Sequence, residues 1–399
     1  MLRTYSGFFA AILVIGGSLY ALSNDFPVPN LQQHVTQAAA VVTSVIEKPV
    51  QRTEKVRVFI MPGHEPNFGG SEFKNTIERN VNVEIASKLK EYLEADGKFE
   101  VVLGRDTRTW NSELQTYFDE HLADIKAWRD EQASIMRERV QDGDIDLVDD
   151  PIVHEHVSGD VATRLYGVNK WVGEQGFDVA VHVHVNDYGS RGRNKLGEFT
   201  GYAIYVPESQ YDNASLSKEI ATAVHNRFSQ VFPQSNAKRE KGGVVEDQQL
   251  VALGRYNTAK TPSILIEYAY VYETQITDKA IRGIAINEYA FQTYQGLKDY
   301  FFGINDEDVI KTATLPHEWK QAIAETFTQN PDVYALQIAL RNMGVYPIEG
   351  KTLNDCPISG LFGGCTRKAL VAFQEKYGIE GEDGVVGEKT RAKLHELYK

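Results

Sequence analysis

Five short apolar runs, set apart by stretches of helical period, constrain this chain more than any other feature. They lie at residues 56–60, 99–103, 177–185, 202–206 and 263–271. After the first run, Ile77, Val81, Ile85, Leu89 and Tyr92 recur at helical spacing from Thr76, and Gly97 ends the pattern. A further helix is expected over 215–232. Strands alternating with amphipathic helices predict an α/β fold: a mostly parallel sheet flanked by helices. In such sheets the ligand site lies beyond the carboxyl ends of the strands. Polar residues at those ends are therefore the ones to inspect.

Composition narrows the function. A chain of 399 residues exceeds one ordinary core, so two domains with linkers are expected. A formal charge of −13 argues against a nucleic-acid partner, whose phosphates need a basic face. Two cysteines exclude a disulfide scaffold and any four-cysteine zinc module. The acidity is local. Residues 105–164 carry 15 acids against seven bases, whereas the last 69 residues carry nine of each.

The start of the chain reads as an export signal. Arg3 precedes an apolar run over 7–20, and Ala21-Leu22-Ser23 follows. The run is short of the roughly 20 apolar residues a membrane helix wants. Residues 1–23 are thus a cleaved signal peptide or an uncleaved anchor, with residues 7–22 as the membrane tether in the second case. Residues 24–54, rich in Ala, Val, Thr and Gln, read as a linker. The expected location is exported: periplasm, cell wall or extracellular.

Four strand-end positions stand out. His64 closes the first run in Met61-Pro62-Gly63-His64, and Glu78 opens the next helix. His184 lies near the end of the 177–185 run, and Glu267 enters the otherwise apolar Pro262-Ser-Ile-Leu-Ile-Glu267. Two imidazoles and a carboxylate are a common catalytic zinc set, and a second carboxylate can serve as general base. Each also has a plainer reading. A strand-end histidine is commonly just hydrogen-bonded, and a first-turn Glu commonly just complements the helix dipole. Glu267 is harder to dismiss, because a carboxylate between Ile266 and Tyr268 must be paired or bear a heavy desolvation cost.

These segments, with Glu78-Arg79-Asn80 and His184-Val185-Asn186, resemble the zinc-dependent N-acetylmuramoyl-L-alanine amidases. The resemblance runs from Lys55 to about Phe302. It implies Zn2+ on His64, Glu78 and His184, with Glu267 catalytic. It also implies cleavage of the amide joining the muramic-acid lactyl group to L-alanine in peptidoglycan by zinc-activated water. Arg164 and Asn169 match a further family pattern.

The chain departs from the family in three places, and one assignment has a rival. Glu65-Pro66 follows His64 where the family has Gly-Gly, and the glycines come at Gly69-Gly70. Glu72 is a rival to Glu78 as ligand. His182 stands where the family has Ser and shares a strand face with His184, as an outer partner or a rival ligand. Tyr268-Ala269 replaces Thr-Gly after the glutamate, which predicts an altered substrate-facing surface.

Between Arg105 and Arg164 the chain carries an insertion, about residues 106–160. Leu114, Phe118, Leu122, Ile125, Trp128 and Ile135 predict an amphipathic helix over 112–140, with Ser112 and Gln115 as a capping box. An acidic loop follows at 142–150. The insertion is either a regulatory arm that covers the cleft or docks a protein activator, or a helical hairpin with a solvated acidic face.

After a polar connector at 305–330, residues 331–399 carry an internal repeat. Gly360-x-x-Gly363-x-x-Thr366 and Gly384-x-x-Gly387-x-x-Thr390 each lead into a helix, which predicts a three-helix domain. With Leu336-Gln337 and Phe373-Gln374, the pattern resembles the small helical peptidoglycan-binding domain. Cys356 and Cys365 are either a disulfide or two free thiols. The organisation expected is signal, linker, catalytic domain at 55–304, connector, and wall-binding domain at 331–399. Two other functions stay open: a non-catalytic wall binder on a degenerate amidase fold, and a zinc peptidase on the same polymer.

Overall fold

The computed structural model describes residues 54–148, 159–187, 191–303, 315–326 and 328–398. The signal or anchor at 1–23, most of the linker at 24–54, and parts of the insertion and connector lie outside them. Among the described residues no helix is long and apolar enough to cross a membrane.

In chain order residues 56–302 run β1 (Val56–Pro62), β2 (Glu72–Phe73), β3 (Thr76–Ile77), α1 (Glu78–Asp96) and β4 (Phe99–Leu103). Then come α2 (Ser112–Gln141), α3 (Gly159–Gln175), β5 (Val179–Asn186), β6 (Ala203–Pro207) and α4 (Ala214–Val231). It closes with β7 (Val244–Asp247), β8 (Ser263–Tyr270), the single turn α5 (Thr274–Thr277) and α6 (Lys279–Phe302). The main sheet has the order β4-β1-β5-β8-β6-β7. β4, β1, β5 and β8 are parallel, and β6 turns antiparallel against β8. The α/β expectation holds, and β7 is a strand the apolar runs did not signal.

Both faces are covered, as the near-continuous apolar strands require. Alternate residues Val56, Val58 and Ile60 of β1 join the core beneath α1, α4 and α6, while Phe59 and Met61 face Leu114, Phe118 and Ile125 of α2 and Tyr166 and Trp171 of α3. The insertion helix is therefore one layer of the fold. Its N-cap is Asn111, whose side chain accepts from the Glu113 and Leu114 amides, and not Ser112. Asn111 is the last residue before the helix and so holds the orphan first-turn donors.

The C-terminal module comprises α7 (Pro331–Asn342), α8 (Gly364–Lys376) and α9 (Glu388–Leu397). Its repeat is built on two glutamines. Gln337 accepts from the Ser359 and Gly360 amides and donates to Leu361 O and the Thr366 hydroxyl. Gln374 accepts from the Gly384 amide and donates to Glu382 O, Val385 O and the Thr390 hydroxyl. Each Gly-x-x-Gly-x-x-Thr turn is thus pinned by the glutamine of the preceding helix. Cys356 and Cys365 are joined as a disulfide. One apolar core runs from the sheet through α6 into α7, and Trp319 and Ile323 of the connector are buried in it.

Candidate metal centre and active site

Three sequence-distant residues meet at the carboxyl edge of the sheet. β1 delivers His64, β5 delivers His184, and α1 begins at Glu78 after the β2–β3 hairpin. One ligand atom from each of His64, Glu78 and His184 lies within 4.8 Å of the others. Glu78 Oε1 is 2.8 Å from His64 Nε2 and 3.1 Å from His184 Nδ1. The second oxygen of Glu78 is held by the Ser71 amide at 2.7 Å.

Backbone detail makes that convergence feasible. His64 sits at φ 68, in the left-handed region that a non-glycine residue rarely occupies. A Cβ on Gly63 would fall on the His184 ring, so only glycine fits there. The Glu65–Phe68 loop closes on itself through the Glu65 amide and Phe68 O at 3.2 Å. It thereby returns Gly70 to His64, and a Cβ on Gly70 would lie 3.2 Å from the imidazole Cδ2. The four residues between His64 and the glycines loop out, and the glycines still pack against the His64 side chain.

The protonation states suit a cation. Burial alone would raise Glu78, but His64 and His184 outweigh it and hold the carboxyl well below the usual carboxylate range. Burial lowers His184, against its hydrogen bond to the Glu78 carboxylate, so its neutral form is favoured. His64 Nε2 is closed to solvent yet makes no aligned hydrogen bond. In the register of β5 on β8, Glu267 is the direct partner of His184. Its Oε2 is also closed off without a partner. Burial, then the charges of Glu78 and Glu240, push the Glu267 carboxyl well above its usual range. A proton-hungry carboxylate thus faces the trio.

The rivals separate. Glu72 is engaged by Arg193 and lies 3.8 Å from the Arg79 guanidinium, away from the trio. His182 is outside the cluster, one pleat deeper, between Met61 of β1 and Leu265 of β8. Burial pushes its imidazole down to about 3, which keeps it neutral. Arg164 pairs with Glu65 at 2.6 Å, and Asn169 donates to Val251 O at 2.6 Å, tying α3 to the loop before β8. The two residues that replace Thr-Gly after Glu267 do not themselves reach the surface. Tyr268 and Ala269 are buried, and the Tyr268 hydroxyl meets Thr293, because the pleat turns Tyr268 to the opposite face from Glu267.

Two contributors escaped the sequence reading. Arg105, read only as a segment boundary, is buried with its guanidinium on backbone carbonyls beside His64 and Glu78. Glu240 is buried and accepts from Asn186, Tyr205 and Tyr270, each at 2.7 Å. No periodic pattern marks either. Only the Gly104-Arg105 step directly after the second strand hinted that Arg105 lies at the same sheet edge.

A family profile described as N-acetylmuramoyl-L-alanine amidase matches residues 58–299, and one described as a peptidoglycan binding domain matches 329–394. No curated protein matches the chain. Among solved structures, the chain is similar to the CwlD amidase from Clostridioides difficile, solved in complex with the GerS lipoprotein. Identity there is 16%, over 62% of this chain and 98% of that one, with a TM-score of 0.40. It is also similar to the amidase Ami1 from Mycobacterium smegmatis, at 12% identity over 64% and 99% of the two chains, TM-score 0.42. A third is the catalytic domain of CwlV from Bacillus (Paenibacillus) polymyxa var. colistinus, at 17% identity over 61% and 97%, TM-score 0.38.

Proposed function

This chain belongs to the N-acetylmuramoyl-L-alanine amidase family, and we propose that it works on peptidoglycan through a zinc ion held by His64, Glu78 and His184, with Glu267 as the proton carrier. It is a peptidoglycan amidase with a C-terminal peptidoglycan-binding domain, and both modules direct it to the cell wall. The single observation that carries the site assignment is the meeting of three ligand atoms within 4.8 Å, directly beside Glu267.

The donors fit zinc. Two imidazoles and one carboxylate are a donor set that would hold zinc and leave room for water, and the His64 Nε2 closed off from solvent would supply one of the ligand atoms. Zinc bound there supplies Lewis acidity toward the amide carbonyl and lowers the pKa of water toward about 7. Glu267 takes a proton at Oε2 as the water oxygen bonds to the lactyl carbonyl carbon. It returns that proton to the amide nitrogen as the C–N bond breaks, leaving a lactyl carboxylate and a free L-alanine amino group. Ser71 and the two imidazoles fix the Glu78 carboxylate in one orientation, so its charge is in place before substrate arrives.

Incubating zinc-loaded protein with purified peptidoglycan and identifying the released ends tests this. New L-alanine amino termini are expected, and they vanish in His184→Ala. Other peptide ends would indicate a zinc peptidase. Retained pulldown without any new ends would indicate a non-catalytic binder.

Residues 1–23 act as signal or anchor in this reading, which the mass of the mature N-terminus checks. The acidic insertion offers a docking surface for a protein activator on the solvent side of α2. Because Leu114, Phe118 and Ile125 cover the sheet, the test is charge reversal at exposed Glu120 and Asp124 and not deletion.

A further inference from the structure

Arg105 is a buried charge that no step of the hydrolysis uses. It is 1% exposed, and its hydrogen bonds go to main-chain carbonyls. Nε donates to Pro62 O at 2.8 Å and Nη1 to Asp106 O at 2.9 Å. Nη2 donates to Gly63 O and, at 3.0 Å, to Arg79 O.

The placement of these carbonyls is what matters. Pro62 ends β1 and Gly63 leads directly into His64, while Arg79 follows Glu78 in the first turn of α1. The chain between them, residues 64–77, makes a loop and a two-residue hairpin. One planar fork therefore bridges the two backbone segments that present the imidazole of His64 and the carboxylate of Glu78. His64 stands in a left-handed conformation, which persists only when its surroundings over-determine it. Glu78 also lies close enough for its charge to act on the guanidinium. A lysine ammonium has neither the planar geometry nor enough donors to hold all these carbonyls.

Resting on the zinc-site reading above, we propose that Arg105 is a positioning residue of the metal centre: it sets the separation of His64 and Glu78 in the apo protein and thereby the affinity for zinc. Outer partners of this kind contribute about 10–100-fold to metal affinity.

The test compares the full chain with Arg105→Gln and Arg105→Lys. As a control it adds Arg57→Gln, near the start of β1, where the guanidinium reaches Glu100 and Gln175 O. Each protein is stripped of metal and titrated with zinc against a chromophoric chelator, and the melting of each apo form is recorded. Arg105→Gln is expected to weaken zinc binding about 10–100-fold, Arg105→Lys by an intermediate factor, and Arg57→Gln not at all. A cooperatively melting Arg105→Gln that binds zinc as tightly as the parent overturns the inference. Should Arg105→Gln fail to fold, Arg105→Lys decides: parental affinity overturns the inference, and weakened affinity supports it. If the parent itself takes up no zinc, or His184→Ala retains it, the site reading fails instead, and the titration separates the two.

Discussion

Gln374 in the C-terminal module and Glu267 at the sheet edge are both polar side chains in closed surroundings, yet their partners differ sharply. Gln374 donates to two carbonyls and a hydroxyl and accepts from a backbone amide. Glu267 leaves its Oε2 without a hydrogen-bond partner, and His64 Nε2 makes no aligned hydrogen bond although it lies 2.8 Å from Glu78. A satisfied buried network specifies one arrangement, while an unsatisfied one holds its groups ready for a ligand. The module is built for shape, and the sheet edge is built for chemistry. The difference teaches where substitution should cost activity and where it should cost stability.

The largest effect that would break this contrast comes from metal removal. A chelator, or His184→Ala, should bring peptidoglycan hydrolysis to background while pulldown on the wall is retained, since the module holds none of the three ligands. Loss of pulldown in parallel would show the two regions to be one functional unit. Next, Glu267→Gln should lower turnover by about 10²–10⁴-fold, the range for a general base. Its melting temperature should hold or rise, because burial and two like charges oppose the native carboxylate. Gln374→Ala should do the reverse. Turnover on soluble fragments stays near parental, but stability falls by about 3 kcal/mol as the Gly384 amide and its neighbours lose their partner.

The smallest effect concerns the seam. Burial pushes the Glu288 carboxyl up to about 7, against hydrogen bonds from Gln292 and the Leu315 amide. A raised acid keeps its proton in the fold but loses it in the unfolded chain, from about pH 4.5 upward. Stability should therefore decline as pH rises from about 4.5 to about 7 and level off above. Glu288→Gln should flatten that decline, measured by denaturant unfolding at several pH values. An unchanged slope would place the titration elsewhere.

Much of this was legible in the chain. The apolar runs predicted the principal parallel strands, because a strand covered on both faces can hardly be anything but apolar. Strand-end logic singled out His64, His184 and Glu267, and the Gly-x-x-Gly-x-x-Thr repeat announced two equivalent turns. Other features were hidden. β7 is short and half polar, carrying Glu246 and Asp247, so no apolar run marks it. Asn111 took the cap from Ser112 because which residue stands just outside a helix depends on where the chain enters it.

Sequence alone determined the local terms: which segments form strands, which face each residue takes, and which residue types could ligate or carry a proton. Those follow from backbone dihedrals and from the two periods, 2 and 3.6, that any short segment carries. Only the tertiary structure brought Glu78 and not Glu72 to the two histidines, set His182 a pleat below them, and bent residues 65–68 outward so that Gly70 met His64. It alone placed Arg105 across two segments far apart in the chain. The meeting of His64, Glu78 and His184 is a distance condition on atoms from three parts of the chain, and such distances arise from crossover and register, which no window of neighbouring residues contains.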